Sequence, residues 1–152
     1  MSPFNAFMFI QGIETLALRM KEHSKNGAVV AEFLENHPKV ERVSHPSLAD
    51  GFKKERADNY LNGGCGGLMG FEIKGGLESG KKFIESLEMF YHVANIGDSK
   101  SLAIHPASTT HSQLNEEELL SGGVSPGYIR LSIGLEHIDD ILEDLGTALD
   151  KS

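Results

Sequence analysis

Apolar residues recur along this chain at two periods, and the changes of period mark its elements. Near the amino end, Ile13, Leu16, Ala17 and Met20 follow the spacing of one helix face, and Gly27, Ala31 and Leu34 extend the stripe. The pattern predicts one long helix from about Asn5 to Asn36, closed at His37–Pro38 because proline disfavours helix in the residue before it. Lys39–Val43 reads as a short strand ended by His45–Pro46, and Lys53–Leu61 as a charged helical turn. Beyond the glycine loop Gly63–Gly67, Leu68–Ile73 alternates residue by residue, as a strand does. Ser79–Met89 returns to helical spacing through Phe83, Ile84 and Leu87. Tyr91–Val93 and Ser101–Ala103 are short strand candidates flanking a polar loop.

Asn115–Leu120 reads as a brief acidic helix with Asn115 as its N-cap. In Tyr128–Ile133 the alternation is clean: Ile129, Leu131 and Ile133 face one way, and Tyr128, Arg130 and Ser132 the other. Ile138, Ile141, Leu142, Leu145 and Leu149 define a strongly amphipathic last helix, with Asp139 and Asp140 suited to its positive N-terminus. Helices separated by single short strands, with no regular βαβ repeat, point to an α+β fold: a small sheet with helices on one face.

Composition narrows the field. With 152 residues the chain has room for one domain with a proper core. A net charge of −8, few aromatics and no block of Lys and Arg argue against a nucleic-acid partner. Cys65 is the only cysteine, so no internal disulfide forms and a reducing cytoplasm is expected. No apolar run reaches the roughly 20 residues of a membrane span, so no membrane partner is expected. The amino end lacks a basic segment and a small-residue cleavage site, so it does not read as a signal peptide. It reads instead as a helix cut into from upstream. Phe4, Phe7, Met8 and Ile10 there suggest apolar surface normally covered by something else.

Among chemistry-bearing residues, Arg130 comes first. A guanidinium binds a carboxylate through two parallel hydrogen bonds, and a strand holds such a group rigidly. The competing account is an arginine paired with one of the acidic residues. Ser101, at a loop-to-strand transition, offers a hydroxyl and a nearby N–H to the same carboxylate; a turn serine satisfying its own backbone is the plain alternative. His92, His105 and His111 match no metal signature, and no metal site is expected. The GGCGG loop precedes a strand with no GK[ST] and no helix start, so it is not a phosphate loop. Nothing fixes a base beside Cys65, and Asp139–Asp140 sit on a solvated helix face.

Three runs then carry a family likeness: SPFNAFMFIQGIETLALRMKEHSKNG, GDSKSLAIHPASTTHSQL and YIRLSIGLEHIDDILEDL. Together, in this order, they resemble the carboxy-terminal domain of the Cys/Met-metabolism family, the pyridoxal-phosphate enzymes of trans-sulfuration. The resemblance runs from about Ser2 to the end. It implies the small, mostly antiparallel α+β domain of fold-type I pyridoxal-phosphate transferases, with the cofactor-binding large domain absent from residues 1–152. It implies that Arg130 binds the substrate α-carboxylate and that Ser101 assists. The family's Schiff-base lysine, phosphate-binding residues and ring-stacking aromatic lie upstream, so no catalytic or cofactor-binding residue is assigned and the chain alone is expected to be inactive.

Lys100, where cystathionine-handling relatives commonly have glutamate, and the STTHSQL wording look more like the O-acetylhomoserine sulfhydrylase branch. That branch replaces the acetate of O-acetyl-L-homoserine with sulfide to give homocysteine. A methionine γ-lyase or cystathionine-type domain, and a non-catalytic docking module, are the alternatives. The resemblance also implies a homo-oligomer for the complete enzyme.

Overall fold

The computed structural model describes residues 1–152. The amino-terminal apolar stripe forms two helices, α1 (Pro3–Glu14) and α2 (Leu16–Glu35), rather than one. The break falls at Thr15, whose backbone leaves the helical region at φ −104°, ψ 3°. A β-branched residue is a poor helix former. The Arg19 guanidinium satisfies the freed groups, donating to the Gly12 carbonyl at 2.9 Å and to the Thr15 hydroxyl. The two halves also differ in environment. No residue of α1 is buried, whereas α2 buries His23, Asn26, Gly27, Val30, Ala31 and Leu34.

After α2 come β1 (Val40–Ser44), α3 (Gly51–Tyr60), β2 (Leu68–Ile73), α4 (Gly76–Ser86) and β3 (Tyr91–His92). Then follow β4 (Leu102–Ile104), α5 (Glu116–Ser121), β5 (Tyr128–Ser132) and α6 (Ile138–Lys151). The strands form one five-stranded sheet in the order β1-β2-β5-β4-β3. Every pairing is antiparallel except β3 with β4. α4 begins earlier than its apolar spacing suggests, because Gly75 at φ 97° turns the chain directly into the helix. It ends at Ser86, where the Asp144 carboxylate of α6 accepts the N–H groups of Glu88 and Met89 at 2.9 and 3.0 Å. At α5 the Asn115 side chain and Glu118 form a reciprocal capping box.

The core lies on one side of the sheet. Met69, Phe71 and Ile73 of β2, with Ile129, Leu131 and Ile133 in and after β5, meet α2, α4 and α6 there. Phe71 and Phe83 pack edge to face with centroids 5.4 Å apart. The GGCGG loop is the close-packed entry to β2. A Cβ on Gly27 would lie 2.4 Å from the Gly66 carbonyl oxygen, so α2 and this loop touch backbone to backbone. No helix is long and apolar enough to cross a membrane.

This contact sets a stability test. Gly27→Ala forces two backbones apart and is expected to cost about 1–3 kcal/mol in urea unfolding of the chain. Gly12→Ala, with nothing within 4 Å of the new methyl group, is expected to be neutral or to stabilise by up to about 1 kcal/mol. Equal midpoints for the two variants would contradict this packing.

Candidate carboxylate-binding site

Arg130 stands on the sheet face opposite the helices. In register it faces Gly70 of β2 on one side and Ile104 of β4 on the other. Its neighbours on β5, Ile129 and Leu131, are completely buried in the core, so the strand cannot rotate without exposing them. Gly70 is small because the Tyr128 ring occupies the space beside it; a Cβ there would lie 2.2 Å from the Tyr128 hydroxyl oxygen.

None of the ion pairs in the chain includes Arg130. Arg42, the other arginine on this face, is neutralised by Glu72 at 3.1 Å. Arg130 instead donates one hydrogen bond, from Nη2 to the Asn95 carbonyl at 3.3 Å. A guanidinium carries five N–H donors in a planar fork, so most of this one remains free for an anion. The account of Arg130 as a mere partner of surface acids therefore fails on geometry.

Ser101 lies immediately before β4, inside the protein. It is fully buried, and both its donors are spent inside the protein. Its N–H donates to Glu136 Oε1 at 2.7 Å and its hydroxyl to Glu136 Oε2 at 2.9 Å, while Oγ accepts from the Gly134 N–H at 2.9 Å. Both donors of Ser101 are directed at the Glu136 carboxylate. In this arrangement Ser101 ties the loop before it to the turn that follows β5. Strand alternation sets this placement: Ile104 pairs with Arg130 and Leu102 with Ser132, so Ser101 falls on the opposite side from Arg130.

The residue that meets Arg130 is Asn95, in the polar loop between β3 and β4. The loop is tied down again where the Gly97 N–H donates to Ser132 Oγ at 3.0 Å. Next to it, Lys100 Nζ lies 3.0 Å from the Tyr91 hydroxyl and 4.3 Å from the ring centroid, holding a positive charge at the exposed edge. The signal for Asn95 was faint, because a polar loop residue acquires meaning only once β5 is seen beneath it.

The three histidines do not gather, and no group of three or more His, Cys, Asp or Glu side chains could hold a metal ion. His105 serves as a strut. Its ring donates from Nε2 to the Pro126 carbonyl at 2.7 Å and accepts at Nδ1 from the Ser108 hydroxyl at 2.8 Å. A groove of about 680 Å³ between β1 and α3, lined by His45, Asp50, Lys53 and Arg56 among others, includes none of the residues around Arg130.

Burial pushes the His105 imidazole below the usual histidine range, against the pull of the Pro126 carbonyl, and burial lowers His45 likewise. The unfolded ring takes a proton near pH 6.5, before the folded one does. Stability from these rings is therefore complete above that value and is lost as pH falls below it. The urea midpoint is expected to be lower at about pH 5.5 than at about pH 7.5, and the dependence to be shallower in His105→Gln. An equally steep dependence in that variant would remove His105 from the account.

Comparison with known proteins places the chain in a family. The sequence profile of the family described as "Cys/Met metabolism PLP-dependent enzyme" matches residues 1–150. The chain is similar to the O-acetyl-L-homoserine sulfhydrylase of Leptospira meyeri, with 58% identity over 97% of this chain and 34% of that protein. It is also similar to the L-methionine gamma-lyase of Pseudomonas putida, 43% identical over 100% of this chain and 38% of the other. A solved structure from Campylobacter jejuni, named as an O-acetylhomoserine (thiol)-lyase and carrying N'-pyridoxyl-lysine-5'-monophosphate, superposes with a TM-score of 0.88. It is 45% identical and covers 99% of this chain and 36% of its own. The chain thus spans about a third of the length of the relatives it matches.

Proposed function

The chain belongs to the Cys/Met metabolism PLP-dependent enzyme family, and we propose that it is the carboxy-terminal, substrate-binding domain of a cytoplasmic O-acetyl-L-homoserine sulfhydrylase. The observation that carries this reading is Arg130: a half-buried guanidinium on a locked strand, with no acidic partner and most of its donors free. Its task is to hold the α-carboxylate of the amino-acid substrate in one orientation. Fixed orientation lowers the barrier even though the guanidinium touches no reacting bond. Asn95, through its carbonyl, holds the guanidinium in place, and Ser101 anchors the loop that carries Asn95.

The residues present do not fit the cofactor's own site. No lysine is buried, and Lys25, Lys54 and Lys81 are engaged in surface ion pairs. No residue is assigned to the cofactor, whose chemistry in this reading is supplied by the rest of the enzyme.

Helix α1 supports a larger whole. Phe4, Phe9 and Ile13 are each more than 60% exposed, at 70%, 62% and 66%. A helix apolar on every side is ordinarily enclosed by protein. In this reading the remainder of the polypeptide, and further copies in a homo-oligomer, enclose it.

A methionine γ-lyase domain is the second reading, favoured by 43% identity to that enzyme from Pseudomonas putida. The 58% identity to a sulfhydrylase and Lys100 at the loop edge favour the first. Turnover by the complete enzyme decides between them. Homocysteine formed from O-acetylhomoserine and sulfide, at a kcat/KM well above that for cleavage of methionine or cystathionine, is the expected result. Preference for methionine would establish the lyase reading. The 152-residue chain alone is expected to turn over none of these substrates.

A further inference from the structure

We propose that Glu136 is a positioning residue of the amino-acid site, its carboxylate clamping the 95–101 loop so that Arg130 is presented in one orientation; this rests on Arg130 being the carboxylate receptor. Glu136 sits in the turn between β5 and α6, beside no reacting group, yet both its oxygens point back at the loop. Oε1 takes the Ser101 N–H at 2.7 Å and Oε2 the Ser101 hydroxyl at 2.9 Å. Hydrogen bonds to a carboxylate are about twice as strong as neutral ones. This pair is also the means by which a buried serine in the loop is satisfied completely.

The turn is itself held. Asn26 of α2 donates to the Gly134 and Glu136 carbonyls at 3.2 and 3.1 Å, and His23 meets the Ile133 carbonyl at 2.7 Å. Gly134 leaves the room that the clamp needs. A Cβ there would lie 2.3 Å from Glu136 Oε2 and 2.5 Å from the Ser101 nitrogen.

From the clamp the loop is stitched forward. The Leu135 N–H donates to the Ser99 carbonyl at 2.8 Å, and the Gly97 N–H to Ser132 Oγ at 3.0 Å. At its far end the Asn95 carbonyl accepts from Arg130 at 3.3 Å. A continuous set of contacts therefore runs from the buried polar face of α2, through Glu136 and the loop, to the guanidinium. Without the carboxylate, the Ser101 N–H and hydroxyl lose their acceptor, the loop loosens, and Arg130 loses the carbonyl that aims it.

The test is made in the complete, cofactor-loaded enzyme with Glu136→Gln and Glu136→Asp, and with Arg130→Ala as control. A glutamine has one acceptor oxygen where the carboxylate has two, and an aspartate is one methylene short. Glu136→Gln is expected to raise KM for the amino-acid substrate roughly ten- to a hundredfold, the cost of misplacing an orienting group. KM for sulfide and the visible absorbance of bound cofactor should stay at wild-type values. Glu136→Asp should show the same split to a smaller degree, and amide hydrogen exchange should quicken within residues 97–101. If Glu136→Gln unfolds, Glu136→Asp decides on the same split.

A wild-type KM for the amino acid in the folded variants would overturn the proposal. So would a parallel loss in both KM values and cofactor content, the mark of a purely structural role. If Arg130→Ala raises the amino-acid KM while Glu136→Gln does not, the clamp fails and the carboxylate reading stands. If neither raises it, the carboxylate reading itself fails.

Discussion

A guanidinium can select a carboxylate only if the backbone beneath it cannot slip, and here the register of β5 supplies that constraint. The strand is central, paired with β2 on one side and β4 on the other. Its inward residues Ile129 and Leu131 are fully buried against α2, α4 and α6. A slip of one residue would exchange the two faces, pushing Arg130 into the core and the aliphatic residues into water. Burying an unpaired charge is expensive enough to exclude that register. The same core that gives the domain its stability therefore determines where its one unpaired strand cation points.

From that strand the rest of the site follows by contact. β4 lies beside β5, so the loop that leads into β4 passes over Arg130 and brings the Asn95 carbonyl to it. The turn that leaves β5 carries Glu136 back to the start of β4, so the two ends of the loop are held by one strand and its continuation. Helix α2 completes the frame. It buries two polar side chains, His23 and Asn26, whose hydrogen bonds go to the carbonyls of this turn. The donors of these buried side chains find partners in the backbone that shapes the site, while Asn26 Oδ1 is buried without one.

What the sequence revealed was what depends on near neighbours. The alternation in Leu68–Ile73 and Tyr128–Ile133, the apolar stripe of α6 and the Asn115 cap are each set within a few residues, and each matches the structure. Arg130 stands out in the sequence for the same reason, as the one charged residue of β5. The break at Thr15 was hidden because the apolar stripe continues through it, and only the Arg19 hydrogen bonds show how it is accommodated. The contacts of Ser101, Asn95 and Glu136 were not legible, because they depend on pairings between residues 33 to 35 positions apart. No local period encodes such a distance. A serine before a strand looks available until the carboxylate that takes its donors is located.

The central claim is that Arg130 exists to receive a substrate carboxylate. The direct measurement is kcat/KM of the complete enzyme, wild type and Arg130→Ala, for the amino-acid substrate and for an analogue whose α-carboxylate is replaced by hydrogen. The account predicts that Arg130→Ala lowers use of the amino acid about ten- to a hundredfold, the worth of a charge-assisted contact, while the analogue is used nearly as before. Equal losses on both compounds, or no loss on the amino acid, would contradict it.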